Sequence, residues 1–288
     1  MEKYYRFAGI DLAVSIPDDW MYRDDQALAL FRVDSLSDPH WFRFSVAEEL
    51  PLPESVPVVS DGAFLLYREG GWEIRYVGAD GGDPAYAHMR VREFGKEHEV
   101  LIKRSAYGGE ISAKAVLRAL RAEHLAAQSQ GFLFHCACIA CRGKAILFTA
   151  PSGTGKTTQA ELWKKHRNAV IINGDRAAIR LIDGIPMAQG VPYLGSSDYC
   201  ENQTLPIAAI VYLSQAPKTT VRRLRGYEAF SRIWEGISAE YWDRADMERI
   251  SHVAEQTAAH IPVFHMPCTP DEDAVTVLEE ALRKQGCI

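Results

Sequence analysis

One short stretch restricts the fold of this chain more than any other. Ala145-Ile146-Leu147-Phe148-Thr149 is a largely apolar run, Ala150-Pro151-Ser152-Gly153-Thr154-Gly155 is built of small residues, and Lys156-Thr157-Thr158-Gln159-Ala160-Glu161-Leu162 begins a helix. A strand that passes through a glycine-rich bend straight into a helix is a building unit of helix-covered sheets. The bend also has a chemical reading. Small residues let backbone N–H groups converge on an anion, and Gly153 and Gly155 carry no Cβ to hold it away. The unpaired N–H groups of a helix opening at Lys156 would face that anion with the positive end of the helix dipole. This is the pattern of a phosphate-binding P-loop, with Ala150 where the first glycine usually stands. On this reading Ser152, Gly153, Thr154, Gly155, Lys156, Thr157 and Thr158 hold the phosphates of ATP, Lys156 bridges the β- and γ-phosphates, and the Thr157 hydroxyl ligates Mg2+. The plainer alternative is a turn that merely joins strand to helix; strand, loop, Lys-Thr and helix in the required order weigh against it.

The next apolar strand, Ala169-Val170-Ile171-Ile172, ends in Asn173-Gly174-Asp175-Arg176. A carboxylate at a strand end beside a phosphate loop can hold Mg2+ directly or through water, and Gly174 lets the chain turn closely. An Asp serving only the tight turn is the alternative. His135 lies in the apolar run before the loop, where a lone histidine reads more readily as a core residue than as a catalyst. Cys136, Cys138 and Cys141 crowd together, but no second Cys/His pair stands at zinc spacing, so they read as small buried apolar residues.

The rest of the chain sets these residues in context. From Tyr4 to Ile102 short extended runs, Phe42 to Val46, Gly71 to Val77, His88 to Phe94 and Glu99 to Ile102, are cut by turn clusters at Leu50 to Pro53 and Gly78 to Pro84. After Gly108-Gly109, Ala113, Val116, Leu117 and Leu120 fall at helical spacing, which predicts a helix within Ser112 to Ala127 closed off by Gly131. Strands and helices then alternate. Strands are expected at Phe132 to Ala140, Ala145 to Thr149, Ala169 to Ile172, Ala178 to Ile182, Ile207 to Leu213, Thr219 to Leu224 and Ile261 to Met266. Helices are expected at Lys156 to His166, twice between Tyr227 and Ala259, and at the carboxyl end, with Thr269 as N-cap, Pro270 at its first position and Glu272 completing a capping box. The expected architecture is α/β, with a β-rich amino-terminal domain over residues 1–110 and a mixed-sheet P-loop domain over 111–288.

Composition excludes several classes. With 288 residues, 47% of them hydrophobic and 24% charged, the chain reads as globular rather than disordered. A net charge of −6 disfavours a general nucleic-acid binder, which would normally show a basic excess. No apolar run approaches the ~20 residues that cross a bilayer. The amino terminus has no secretory pattern and the six cysteines form no disulfide framework, so the expected compartment is a reducing cytoplasm.

At His135, Ser152 to Thr158 and Asp175-Arg176 the chain resembles the carboxyl-terminal catalytic domain of HPr kinase/phosphorylase, and more distantly the nucleotide site of ATP-dependent phosphoenolpyruvate carboxykinase. The resemblance covers about Gly131 to Leu282. It implies a mixed-sheet kinase fold of the HPr kinase type, ATP and Mg2+ as cofactors, and an active-site role for His135, which precedes Lys156 at the family's spacing. Phe148 to Trp163, Ile172 to Ala177, Val191 to Ser197 and the Ile207 to Leu213 strand look most like the HPr kinase homologues of lasso-peptide biosynthesis, which phosphorylate the carboxyl-terminal serine of a precursor peptide. One departure matters. HPr kinases carry two adjacent aspartates where this chain has Gly174-Asp175, the first usually assigned as base and the second nearer the metal. Either Asp175 does both jobs or His135 takes the proton. The element that carries HPr specificity is not recognisable, and the amino-terminal half resembles no family.

The expected activity is therefore γ-phosphoryl transfer from ATP to a serine hydroxyl of a precursor peptide, with His135, Lys156 and Asp175 catalytic and Thr157 and Asp175 at the metal. A terminal carboxylate on the acceptor would need a cation, for which Arg222 and Arg223 are candidates, a solvated strand end being the alternative. Two rivals use the same loop: a kinase of free serine or another small hydroxy metabolite, and a non-catalytic nucleotide-sensing switch. The sequence leaves a homo-oligomer open.

Overall fold

A computed structural model describes residues 1–18, 21–23, 26–61, 64–77, 87–92, 95–106, 110–112, 116–117, 120–195 and 197–288. The turn cluster expected at Gly78 to Pro84, the Gly108-Gly109 pair, Ala113 and the end of the His88 to Phe94 strand lie outside those residues. The chain divides into two compact units, Met1–Arg6 with Ile10–Arg121, and Phe7–Gly9 with Ala122–Ile288.

The described residues of the first unit are mainly β. They form strands β1 (Glu2–Phe7), β2 (Ile10–Ser15), β3 (Met21–Arg23), β4 (Arg32–Val33), β5 (His40–Ala47), β6 (Val59–Asp61), β7 (Phe64–Glu69), β8 (Trp72–Val77), β9 (Ala87–Arg92), β10 (Glu97–Lys103) and β11 (Glu110–Ser112), with a short helix α1 (Gln26–Ala29), a 3-10 turn at Arg104–Ala106 and helical residues at 116–117. Nine strands make one sheet in the order β4-β1-β2-β5-β10-β9-β8-β7-β6, and β3 pairs with β11 apart from it. In β5, Phe42 and Phe44 are buried while Arg43 and Ser45 are exposed, the alternation that puts one face of a strand on a core.

Of the helix expected within Ser112 to Ala127, Ser112 ends strand β11, residues 113–115 and 118–119 lie outside the described residues, Val116 and Leu117 are helical, and helix α2 spans Ala122–Gln128. Arg121, just before α2, is buried and ion-paired with Glu73.

The second unit carries the phosphate loop. Its strands are β12 (Gly131–Cys141), β13 (Lys144–Thr149), β14 (Val170–Asn173), β15 (Arg176–Ile182), β16 (Ile185–Gln189), β17 (Thr204–Gln215), β18 (Arg222–Leu224), β19 (Ile237–Ser238) and β20 (Val263–Cys268). After α2 its helices are α3 (Lys156–Arg167), α4 (Gly226–Trp234), α5 (Arg244–His260) and α6 (Glu272–Lys284). The α/β class with a mixed sheet and a β-rich amino-terminal half, expected from the sequence, is what the structure has. Strands β13, β12, β15, β16 and β17 follow one another side by side, and β13 also pairs with β17, so the five close a ring. Strand β20 lies parallel to β17, and β18 forms the far edge.

Strand β12 changes neighbours halfway. Its first half pairs with β15 and β19, and from Cys136 onward it pairs with β13 and β14. Both of its faces are buried. Phe132, Phe134, Cys136 and Cys138 enter a core shared with Ile250 and Val253 of α5, while Ala137, Ile139 and Cys141 enter another shared with Trp163 of α3 and Leu278 of α6. The three cysteines are thus buried apolar residues, and burial pushes the Cys138 thiol up to about 12.

Two local details differ from expectation. Helix α6 is capped by Asp271, whose Oδ1 accepts from the Ala274 N–H at 3.4 Å, and not by Thr269. The Thr269 hydroxyl is taken up by Thr219 at 3.0 Å and by Asp271 at 3.0 Å, so the helix begins two residues later. The expected Thr219 to Leu224 strand shortens to β18 (Arg222–Leu224), although the Thr220 N–H still donates to the Pro267 carbonyl of β20 at 2.9 Å. No helix among the described residues is long and apolar enough to cross a membrane.

Candidate functional site

The phosphate loop is delivered by a buried strand. All of β13 beyond Lys144 is buried between β12 and β17, which fixes where the chain emerges at Ala150. Thr154 closes the loop on itself, its hydroxyl donating to the Pro151 carbonyl at 2.9 Å. Gly153 has φ 78° and Gly155 φ 113°, both left-handed values that strain any residue with a Cβ. A Cβ at either would meet nothing within 4 Å, so the space they face is open. Gly155 is the N-cap of α3 and offers no side chain, leaving the first N–H groups of a twelve-residue helix free of side-chain caps. Ser152 and Thr158 are exposed beside it. Lys156 reaches back across the loop, its Nζ donating to the Ala150 carbonyl at 3.1 Å and the Pro151 carbonyl at 3.4 Å. Burial lowers the pKa of this ammonium, with the Asp175 carboxylate acting in the opposite sense.

The carboxylate turn stands against this loop. Strand β14 ends at Asn173, which is fully buried and whose Oδ1 accepts from the N–H groups of Asp175 at 2.8 Å and Arg176 at 2.9 Å. Its Nδ2 donates to the carbonyls of Val191 at 3.1 Å and Tyr193 at 3.0 Å. One amide therefore fixes both the turn and the segment that follows β16. The Cys136 N–H donates to the Asp175 carbonyl at 3.0 Å, tying the turn to β12. The Thr157 hydroxyl donates to the Gly174 carbonyl at 3.1 Å, tying it to the first turn of α3. The Asp175 carboxylate is partly exposed and accepts from Arg176 Nε at 3.3 Å; Arg176 in turn lies 3.7 Å from Glu123 of α2.

His135 completes the group. It sits on β12 opposite Arg176 of β15, at the point where β12 changes neighbours. Its N–H donates to the Gly236 carbonyl at 2.7 Å, and its carbonyl accepts from the Thr149 hydroxyl at 3.0 Å. Burial pushes its imidazole pKa below 6.5, Lys156 and Arg176 act in the same sense, and Asp175 opposes them. The ring is therefore neutral at pH 7 and able to accept a proton.

The fold thus brings His135, Lys156, Thr157, Asp175 and Arg176 together from three separate segments. Arg222 and Arg223 are elsewhere, on edge strand β18. Glu228 grips Arg222 through both carboxylate oxygens at 2.9 and 2.5 Å, and Arg223 bonds Gln285 at 2.7 Å. Beyond Thr158 and Gln159 a cleft of about 580 Å³ runs to the ends of β17 and β20 at Gln215-Ala216 and Cys268-Thr269-Pro270.

Sequence reasoning passed over Asn173, Gly195 and Ser197. The Asn-Gly dipeptide at 173–174 is a turn signal that locates the bend. Nothing local shows that its amide also holds residues 191–193. A Cβ on Gly195 would lie 2.7 Å from the Asp175 side chain, and one on Gly174 would collide with the Ser197 hydroxyl. The segment after β16 is therefore laid directly on the carboxylate turn.

No family model matches the chain, and no curated protein sequence matches it. Among solved structures it is similar to the HPr(Ser) kinase/phosphatase from Coxiella burnetii, with 10% sequence identity and a TM-score of 0.33 over 54% of this chain and 98% of that one.

Proposed function

We propose that the chain is an ATP-dependent phosphotransferase that moves a γ-phosphoryl group to a serine hydroxyl. The observation that carries this reading is the convergence of the open phosphate loop with a neutral histidine and a partly exposed carboxylate, His135 and Asp175 being reached from different strands. In phosphoryl transfer there is little covalent work for the protein, and rate comes from alignment and charge neutralisation. The loop N–H groups and Lys156 would take the phosphates, the lysine exchanging its two carbonyl partners for phosphate oxygens. The cleft beside Thr158 and Gln159 has room for the nucleoside. Thr157 and Asp175 present the hard oxygen donors that magnesium prefers, and a bound Mg2+ would supply further neutralisation of the β- and γ-phosphates. His135 accepts the proton of the attacking hydroxyl, leaving Asp175 to the metal.

The resemblance to lasso-peptide kinases makes the carboxyl-terminal serine of a precursor peptide the first acceptor to try. Its carboxylate needs a cation near the reacting groups. Arg176, beside Asp175, is better placed for that than Arg222 or Arg223, whose side chains are occupied at the sheet edge.

The test is transfer of labelled γ-phosphate from Mg·ATP to three acceptors: a peptide ending in free serine, the same peptide amidated, and serine itself. We expect label on the terminal hydroxyl of the free peptide, located by fragment-ion mass spectrometry, and much less on the amide. Label on serine alone would replace the peptide by a small metabolite. Nucleotide binding with no transfer to any acceptor and no ADP release would favour a switch over a kinase.

A further inference from the structure

We propose that the Ser197 hydroxyl is a third protein oxygen of the divalent-cation site, beside Thr157 and Asp175; the inference rests on the phosphotransferase reading and deepens it. Residue 174 is the centre of the arrangement. It has no side chain, and the place where its Cβ would stand is filled by Ser197 Oγ. The same Cβ position is 3.6 Å from Thr157 Cγ2, and Thr157 Oγ1 is bonded to the Gly174 carbonyl at 3.1 Å. Asp175 is the next residue in the chain. Two hydroxyls and one carboxylate, from α3, the turn and the segment after β16, are thus gathered round one glycine.

The placement of Ser197 is constrained on both sides. Gly195 lies flat on the Asp175 side chain, where a Cβ would be only 2.7 Å from its Cβ, Cγ and Oδ1. On the other side the Glu201 N–H donates to the Ile172 carbonyl at 2.8 Å, and Cys200 bridges to Asn173. Ser197 lies between those two anchors, with its hydroxyl against Gly174. The residue is half-buried and not sealed into the core. Neutral hydroxyls combined with one carboxylate form a donor set suited to a hard cation that keeps several waters and takes its remaining oxygens from phosphates. A serine at this point adds a ligand without a second negative charge.

The experiment measures Mn2+ binding to the full chain in the presence of ADP, by electron paramagnetic resonance of the free ion, for the unaltered protein, Ser197→Ala, Ser197→Cys and Asp175→Asn. Removing the hydroxyl should weaken Mn2+ about tenfold or more, a loss typical of perturbed metal surroundings. Ser197→Cys should weaken Mn2+ likewise but bind Cd2+ more tightly than the unaltered protein, with a thiolate-to-metal band in the ultraviolet, because thiolate is a soft ligand. Equal Mn2+ affinity in the unaltered protein and Ser197→Ala, with Asp175→Asn weakened, overturns the role of Ser197 and leaves the metal site standing. Absence of Mn2+ binding by the unaltered protein with ADP overturns the reading of the whole site.

Discussion

The phosphate loop and the carboxylate turn face each other and use glycine for opposite purposes. In the loop, Gly153 and Gly155 adopt left-handed backbone angles and face open space, so the missing Cβ atoms leave room for something that arrives. In the turn and the segment laid over it, Gly174, Gly190 and Gly195 are hemmed in by Ser197, by the Glu201 backbone and by Asp175. There the missing Cβ atoms are already replaced by protein. The loop is a container shaped by its own backbone, and the turn is a packed joint whose geometry belongs to three segments at once. The first should therefore tolerate change structurally while losing function, and the second should lose both together.

The largest expected effect is on the loop side. Lys156→Ala should lower phosphoryl transfer by about 10³-fold, or about 4 kcal/mol of transition-state stabilisation, since it removes a preorganised cation. Its thermal midpoint should stay close to that of the unaltered protein, because the ammonium contacts only loop carbonyls. A variant that unfolds early with its turnover intact would break the comparison.

Next comes the joint. Asn173→Ala leaves two backbone N–H groups without their acceptor and two carbonyls without their donor in a buried place, and should cost about 3 kcal/mol of stability in urea unfolding along with activity. A loss under about 1 kcal/mol would show that the turn holds its shape without this amide, as the loop does.

The third effect sharpens the comparison at the point where the two regions meet. Activity should fall on the acid side with a midpoint below 6.5, since burial, Lys156 and Arg176 all disfavour the protonated imidazole of His135. His135→Ala should lose about 10²-fold in rate, typical of a missing proton acceptor, and the acid limb with it. The sign for stability is the same. The folded state binds this proton less readily than the unfolded chain, so the contribution of His135 is whole above pH ~6.5 and declines as pH falls below that value. An acid limb unchanged in His135→Ala assigns the proton to Asp175.

What could be read in advance follows from the same contrast. The loop, from Ala145 to Leu162, depends on residues in consecutive order, and both its elements and its helix start stand where the pattern puts them. Asp175 was legible as the end of a strand. The neighbours of His135 were not, because they arise from the pairing of His135 with Arg176 across two strands. The same limit explains the local errors. Thr269 has the chemistry of an N-cap, but Thr219, distant in the chain, claims its hydroxyl. Arg222 and Arg223 carry charge in plain view, and only the fold shows that Glu228 and Gln285 occupy them.

Strand β12 has a further consequence, for how the chain reaches this state. Its hairpin with β13 joins near neighbours, but its remaining edges wait for β14, β15 and finally Ile237–Ser238. The ring likewise stays open until β17 arrives beside β13. Such distant closures are slow, because loop entropy is lost before contacts reward it. During synthesis a hairpin with two largely apolar faces must therefore persist with bare edges until much of the second unit has been made. That interval is when this chain is most open to mispairing and most dependent on chaperones. Protection against hydrogen exchange should develop later along Gly131–His135, which wait for β15 and β19, than along Cys136–Cys141, which pair with β13.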